Sequence, residues 1–106
     1  MMDANDKVHM TGFDLPQEEM SQLHAAISHP IKKLREKTDF DVLELNLKKS
    51  SKGKVFNHQV RGRVHTRGKV LSAEDSDYNV FKAVSLVLEK ILHEAEHLQR
   101  TSRQLP

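Results

Sequence analysis

Asp41–Glu74 reads DVLELNLKKSSKGKVFNHQVRGRVHTRGKVLSAE, and its dominant period is two. In Asp41–Lys48, Leu43, Leu45 and Leu47 alternate with Glu44, Asn46 and Lys48, so one face is apolar and the other polar. In Val55–His65 the same alternation puts Phe56, His58, Val60, Gly62 and Val64 on one face and Gln59, Arg61, Arg63 and His65 on the other. Ser50-Ser51-Lys52-Gly53 separates the two runs as a turn. Thr66-Arg67-Gly68-Lys69 is a tight hairpin in which Gly68 is free to take positive φ. Val70–Glu74 then returns with Leu71 and Ala73 toward the apolar side. Strands joined this closely make an antiparallel meander with one greasy and one wet face.

The flanks are helical. Residues 7–11, KVHMT, alternate and stop at Gly12, which predicts a short first strand. In Asp14-Leu15-Pro16-Gln17 the spacing predicts a helix start with Asp14 as N-cap and Gln17 as its capping-box partner. Met20, Leu23, Ile27, Ile31 and Leu34 then form one stripe at helical spacing, and Pro30 inside it predicts a kink or restart near His29. Asp75–Asn79 reads as a polar connection with Asn79 as the next cap. Beyond it Val84, Val87, Leu88, Ile91, Ala95 and Leu98 line one side of a second helix ending at Thr101-Ser102. The order is β-α-β-β-β-α, an α+β fold with two helices on one face of a four-stranded sheet. A chain of 106 residues suits a single domain, with its core at about 7–100 and a short flexible tail at 101–106.

Composition narrows the function classes. With no cysteine, neither a disulfide framework nor a thiolate metal site can form. No apolar run is long enough to span a bilayer and MMDANDKVHM lacks the apolar core of a signal peptide, so the expectation is a cytoplasmic protein without a membrane partner. The net charge of +2 hides a sorting along the chain. Leu45–Ala73 holds eight basic residues and no acidic one, leaving nine basic against fifteen acidic elsewhere. Charge sorted this way suggests an anionic partner, against the plainer reading of cations that keep a strand edge soluble.

The one catalytic motif is His93-Glu94-Ala95-Glu96-His97, which spells H-E-x-x-H. A zinc hydrolase needs a third protein ligand and an open coordination position. The sequence continues Leu98-Gln99-Arg100, without the glycine and third histidine of the extended pattern. His93 and His97 therefore read as exposed histidines on the polar side of a helix. No nucleophile elbow or phosphate loop occurs, and the four phenylalanines and one tyrosine read as core and loop residues. The expectation is a non-enzyme with no cofactor, no metal site and no small-molecule substrate. His58 is expected inward and His65 exposed, beside the basic strands.

Several patterns in order carry a resemblance. The run KVLSAEDSDYNVFKAVSLVLEKI is similar to the final strand, acidic loop and last helix of the ribosome hibernation family, which comprises hibernation-promoting factor and the ribosome-associated inhibitor also called protein Y. The matching places are Ala73-Glu74, Asn79, Phe81, Ala83-Val84 and Glu89-Lys90-Ile91, with Thr11-Gly12, Leu23, Ile27 and Lys33-Leu34 near the start. Pro30 and the run His93–Arg100 depart from the family pattern. The resemblance implies a fold akin to double-stranded RNA-binding domains and a factor that occupies small-subunit ribosomal RNA near the decoding centre. Such a factor blocks messenger and transfer RNA and holds ribosomes idle under stress or in stationary phase. Without the long form's dimerisation domain, the chain resembles the short type, which implies action beside a second hibernation factor. By the resemblance Lys33 and Lys90 meet RNA; by spacing Lys32, Arg35 and Lys82 are their neighbours; by charge sorting Lys48, Arg61, Arg63, Arg67 and Lys69 join them. The other readings are a general binder of structured RNA on the same fold and, remotely, the zinc hydrolase.

Overall fold

The computed structural model, which describes residues 7–66 and 68–104, runs β1 (Val8–Thr11), α1 (Gln17–Lys37), β2 (Val42–Lys52), β3 (Val55–Thr66), β4 (Lys69–Asp77) and α2 (Val80–Gln104). The strands form one sheet in the order β1-β2-β3-β4. β2, β3 and β4 are the antiparallel meander, and β1 adds parallel to β2 with Val8 opposite Leu43 and Thr11 opposite Asn46. This is the α+β arrangement that the periodicities predict. No helix among the described residues is long and apolar enough to cross a membrane.

The apolar face of the meander is the floor of the core. Leu43, Leu45 and Leu47 of β2 and Val60 and Val64 of β3 are buried against Leu23, Ile27, Ile31 and Leu34 of α1 and Val84, Val87, Leu88 and Ile91 of α2. The helices run parallel. Glu19 of the first and the Pro16 that caps it share a hollow with Val80 and Phe81 of the second, and farther along Lys37 pairs with Glu96 at 3.5 Å. Gly62 of β3 lies directly beneath Val87 and Ile91 of α2. A Cβ there would lie 2.7 Å from Val87 Cγ1 and 2.9 Å from Ile91 Cδ1, nearer than packed carbon atoms approach.

Asn79 caps α2 as predicted: its Oδ1 accepts from the N–H of Phe81 at 2.9 Å and of Lys82 at 3.3 Å. Asn79→Ala is expected to lower stability by about 1 kcal/mol. The check is a lower urea midpoint with an unchanged denaturant slope. Gly68 takes φ 74° in the two-residue turn between Thr66 and Lys69, also as predicted.

Five expectations are corrected. α1 starts at Gln17 with Pro16 as its N-cap and no side-chain cap bond, so the Asp14–Gln17 capping box does not form. Asp14 is held instead by its backbone carbonyl, which accepts from Lys49 Nζ at 3.3 Å. α1 also continues unbroken through Pro30, because Leu23 and Ile27 before it and Ile31 and Leu34 after it all anchor to one core. Exposed Ala26, whose carbonyl loses its helical donor, is open to water. Ser50-Ser51-Lys52 is strand, not turn; the reversal is confined to Gly53-Lys54 between paired Lys52 and Val55. Asp75-Ser76-Asp77 is strand as well, paired with Val60, Gln59 and His58. α2 passes the expected stop at Thr101-Ser102 and reaches Gln104.

The β2–β3 hairpin outruns its neighbours. β1 ends opposite Asn46 and β4 ends opposite His58, so, among the described residues, 49–57 form an arm paired with no third strand. Phe56, expected on the apolar face, is on that arm, beyond the core cluster, and is 57% exposed.

Candidate nucleic-acid interface

The sheet face opposite the helices is open to solvent. Alternation along β2 and β3 puts Lys48, Arg61 and Arg63 on it, with Asn46 paired to Arg61 and Glu44 to Arg63. Arg61 joins two shallow hollows there: one of about 270 Å³ that Lys48, Asn46 and Gln59 also line, the other of about 400 Å³ shared with Arg63 and Ser72. The face is not purely cationic. Glu74 of β4 lies 3.3 Å from Arg61 Nη2 and also accepts from Gln59, while Glu44 lies 3.6 Å from His65 Nε2. Lys48 and Arg63 make no ion pair among the described residues, which leaves them available to phosphate.

The remaining candidates are distributed elsewhere. Lys32 and Lys33 are exposed on α1, across the core from the open sheet face. Arg35 stacks its guanidinium over Phe40, 5.7 Å from the ring centroid, a cation–π contact that ties α1 to the segment entering β2. Lys82 and Lys90 flank β4 instead of projecting with the α1 lysines. Lys82 Nζ is 4.0 Å from Asp77 Oδ2, and Lys90 Nζ is 3.1 Å from both Asp75 Oδ2 and the Glu74 carbonyl. Lys69 is exposed as the first residue of β4, paired with Thr66. Arg67 lies outside the described residues. Of the nine proposed residues that are described, three therefore share the open face, Lys32 and Lys33 sit on α1 in the opposite layer, and the other four are spread between ion pairs, a ring contact and the start of β4.

Asp75 has its carboxyl held below its ordinary value of 3.8, first by the Ser76 N–H that it accepts and then by Lys90. A group depressed in this way favours the folded state above its unfolded value and loses that contribution as pH falls through the folded one. The strap between α2 and β4 therefore persists across the physiological range.

His93, Glu94 and His97 lie on the exposed side of α2, and Glu96 is engaged by Lys37. Among the described residues no group of three or more histidines and acids is placed to hold a metal ion. His58 faces the helices as expected, and its Nδ1 is buried without a hydrogen-bond partner among the described residues. His65, expected exposed, is half-buried on the open face beside Glu44.

Sequence reading missed the surroundings of Tyr78. This residue is 68% exposed and follows β4 directly, beside the base of the arm. The available signal was that the chain's single tyrosine stands in a polar segment, away from every apolar stripe.

No family model matches the chain. No curated protein matches it either. Solved structures do. The N-terminal domain of Thermus thermophilus protein Y superposes with a TM-score of 0.58 at 12% identity, covering 86% of this chain and 94% of that one. A ribosomal subunit interface protein from Coxiella burnetii gives 0.60 at 18% identity, covering 88% and 97%. At such identities the likeness is one of fold, and it extends over nearly all of both partners. The chain is thus similar to the relatives that its sequence pattern pointed to: it has the fold of the protein Y N-terminal domain.

Proposed function

We propose that this chain is a ribosome-binding factor that occupies small-subunit ribosomal RNA near the decoding centre, excludes messenger and transfer RNA, and holds ribosomes idle under stress. The observation that carries this reading is the shared fold with two ribosome-associated proteins over 86% and 88% of the chain. The cations support it. Lys48 and Arg63 on one outer surface and Lys32 and Lys33 on the other are free to neutralise phosphates on two walls of a cavity. Occupancy suffices as mechanism, since a folded domain lodged where two RNAs must pass blocks both without chemistry. In this reading the protein works in the cytoplasm and needs no cofactor.

The test is cosedimentation of the purified protein with small subunits over a range of about 50 to 200 mM salt. Association is expected to weaken with salt, each phosphate contact adding about 0.7–0.9 to the slope of log affinity against log salt. Equal affinity for isolated duplex RNA would replace this reading with that of a general structured-RNA binder. No association at low salt would end it.

A further inference from the structure

Along the arm from its root, Val55, Asn57, Ser76, Asp77 and Tyr78 line a hollow of about 320 Å³. Val55 and Asn57 alternate in register with Gln59, Arg61 and Arg63, so the hollow opens on the face that carries the cationic row. Its walls combine two kinds of chemistry. Tyr78, 68% exposed, and Val55, 50% exposed, offer flat or apolar surface. Asn57 and Ser76 bring hydrogen-bonding side chains beside it. An aromatic wall, an apolar rim and uncharged donors and acceptors are what an unstacked nucleobase requires: stacking on its ring and partners for its edge.

The acid in the hollow does not spoil the fit. Asp77 accepts from the Asn79 N–H at 2.9 Å and faces Lys82 at 4.0 Å, so its charge is already partly answered. Along the chain no acidic residue occurs from Leu45 to Ala73, and Lys49, Lys52 and Lys54 fall on the arm with Lys48 just before it. A second copy of this chain docking here would set those lysines against their own equivalents. An anionic polymer would be drawn in.

We infer that this hollow is a base-binding subsite for single-stranded RNA, in which one splayed nucleobase stacks on Tyr78 while the adjoining phosphates run along β3 toward Arg61 and Arg63. The inference rests on the RNA-binding reading above and adds the contact by which an unpaired nucleotide is gripped.

The protein carries its own probe. Tyr78 is the only tyrosine and there is no tryptophan, so tyrosine emission reports this site alone. Titration of the whole chain with an oligouridylate is expected to quench that emission. An oligomer of the same length with abasic sugars keeps the phosphates and should bind without quenching. Tyr78→Ala should weaken oligouridylate binding about tenfold, whereas Tyr78→Phe should keep it near the original value. Oligouridylate binding that leaves the emission unchanged, or an equal quench by the abasic oligomer, overturns the subsite. So does an absence of any single-strand binding at low salt. The ribosomal reading is judged separately, by cosedimentation of the unaltered chain: it fails if the wild type does not sediment, whatever Tyr78 does. If the wild type sediments and Tyr78 is silent, only the subsite falls.

Discussion

Gly62→Val is expected to lower folding stability by about 3 kcal/mol, the upper end of what overpacking a core costs. The glycine is not needed for an unusual backbone angle; it is needed for space. Even a methyl group at this position would meet Val87 Cγ1 at 2.7 Å and Ile91 Cδ1 at 2.9 Å, with Leu45 Cδ2 at 3.3 Å on a third side. All three neighbours are essentially buried, so none can swing into solvent to make room. Valine adds two further carbons, and the relief available is for α2 to lift from the sheet. The expected reading is a thermal midpoint lower by roughly 10–15 °C, with Gly62→Ala falling between variant and parent. A midpoint that did not move would mean that α2 is seated less firmly on β3 than these distances require.

The second large effect concerns binding. Reversing Lys48, Arg61 and Arg63 to glutamate is expected to cut affinity for small subunits on the order of a hundredfold and to flatten the salt slope by roughly two to three. Lys32→Glu with Lys33→Glu should produce a loss of at least tenfold on its own. These two sets lie on opposite outer surfaces with the core between them, so their effects should add in log affinity when combined. A domain lodged between two RNA walls is touched on both sides, whereas one resting on a surface is touched on one. If either reversal leaves cosedimentation unchanged while the other abolishes it, the two-walled plug is wrong. Circular dichroism of each variant separates this from misfolding, and all five positions are exposed.

Much of the fold was legible because certain residues answer to local physics. Leu43, Leu45 and Leu47 can bury together only on a strand, Asn79 supplies acceptors to the first turn of a helix, and Gly68 permits the tight reversal. Where no local signal outweighed another, reading went astray. Ser50-Ser51-Lys52 and Asp75-Ser76-Asp77 are polar on both faces and look like loops; they are strands because their partners in β3 already are. Pro30 looked like a break, but two apolar residues on either side of it are fastened to the same core. The candidate site was less legible still. Charge sorted along the chain is not charge sorted in space, since the β4 register sets Glu74 opposite Arg61 and the packing of α2 brings Lys82 and Lys90 to Asp77 and Asp75. Tyr78 gave no pattern at all, because a side chain that contributes to no stripe becomes meaningful only when its neighbours are known.

The parallel course of the two helices has an electrostatic result. Peptide dipoles in α1 and α2 point the same way, so their partial positive ends lie together at the pole where the arm and Tyr78 are found. At α1 this is offset by Glu18 and Glu19, but α2 carries no acidic residue in its first turn. Asp77, just before α2, accepts from the Asn79 N–H and is answered in turn by Lys82 at 4.0 Å, so of the two positive ends that of α2 is the less taken up by the chain's own acids.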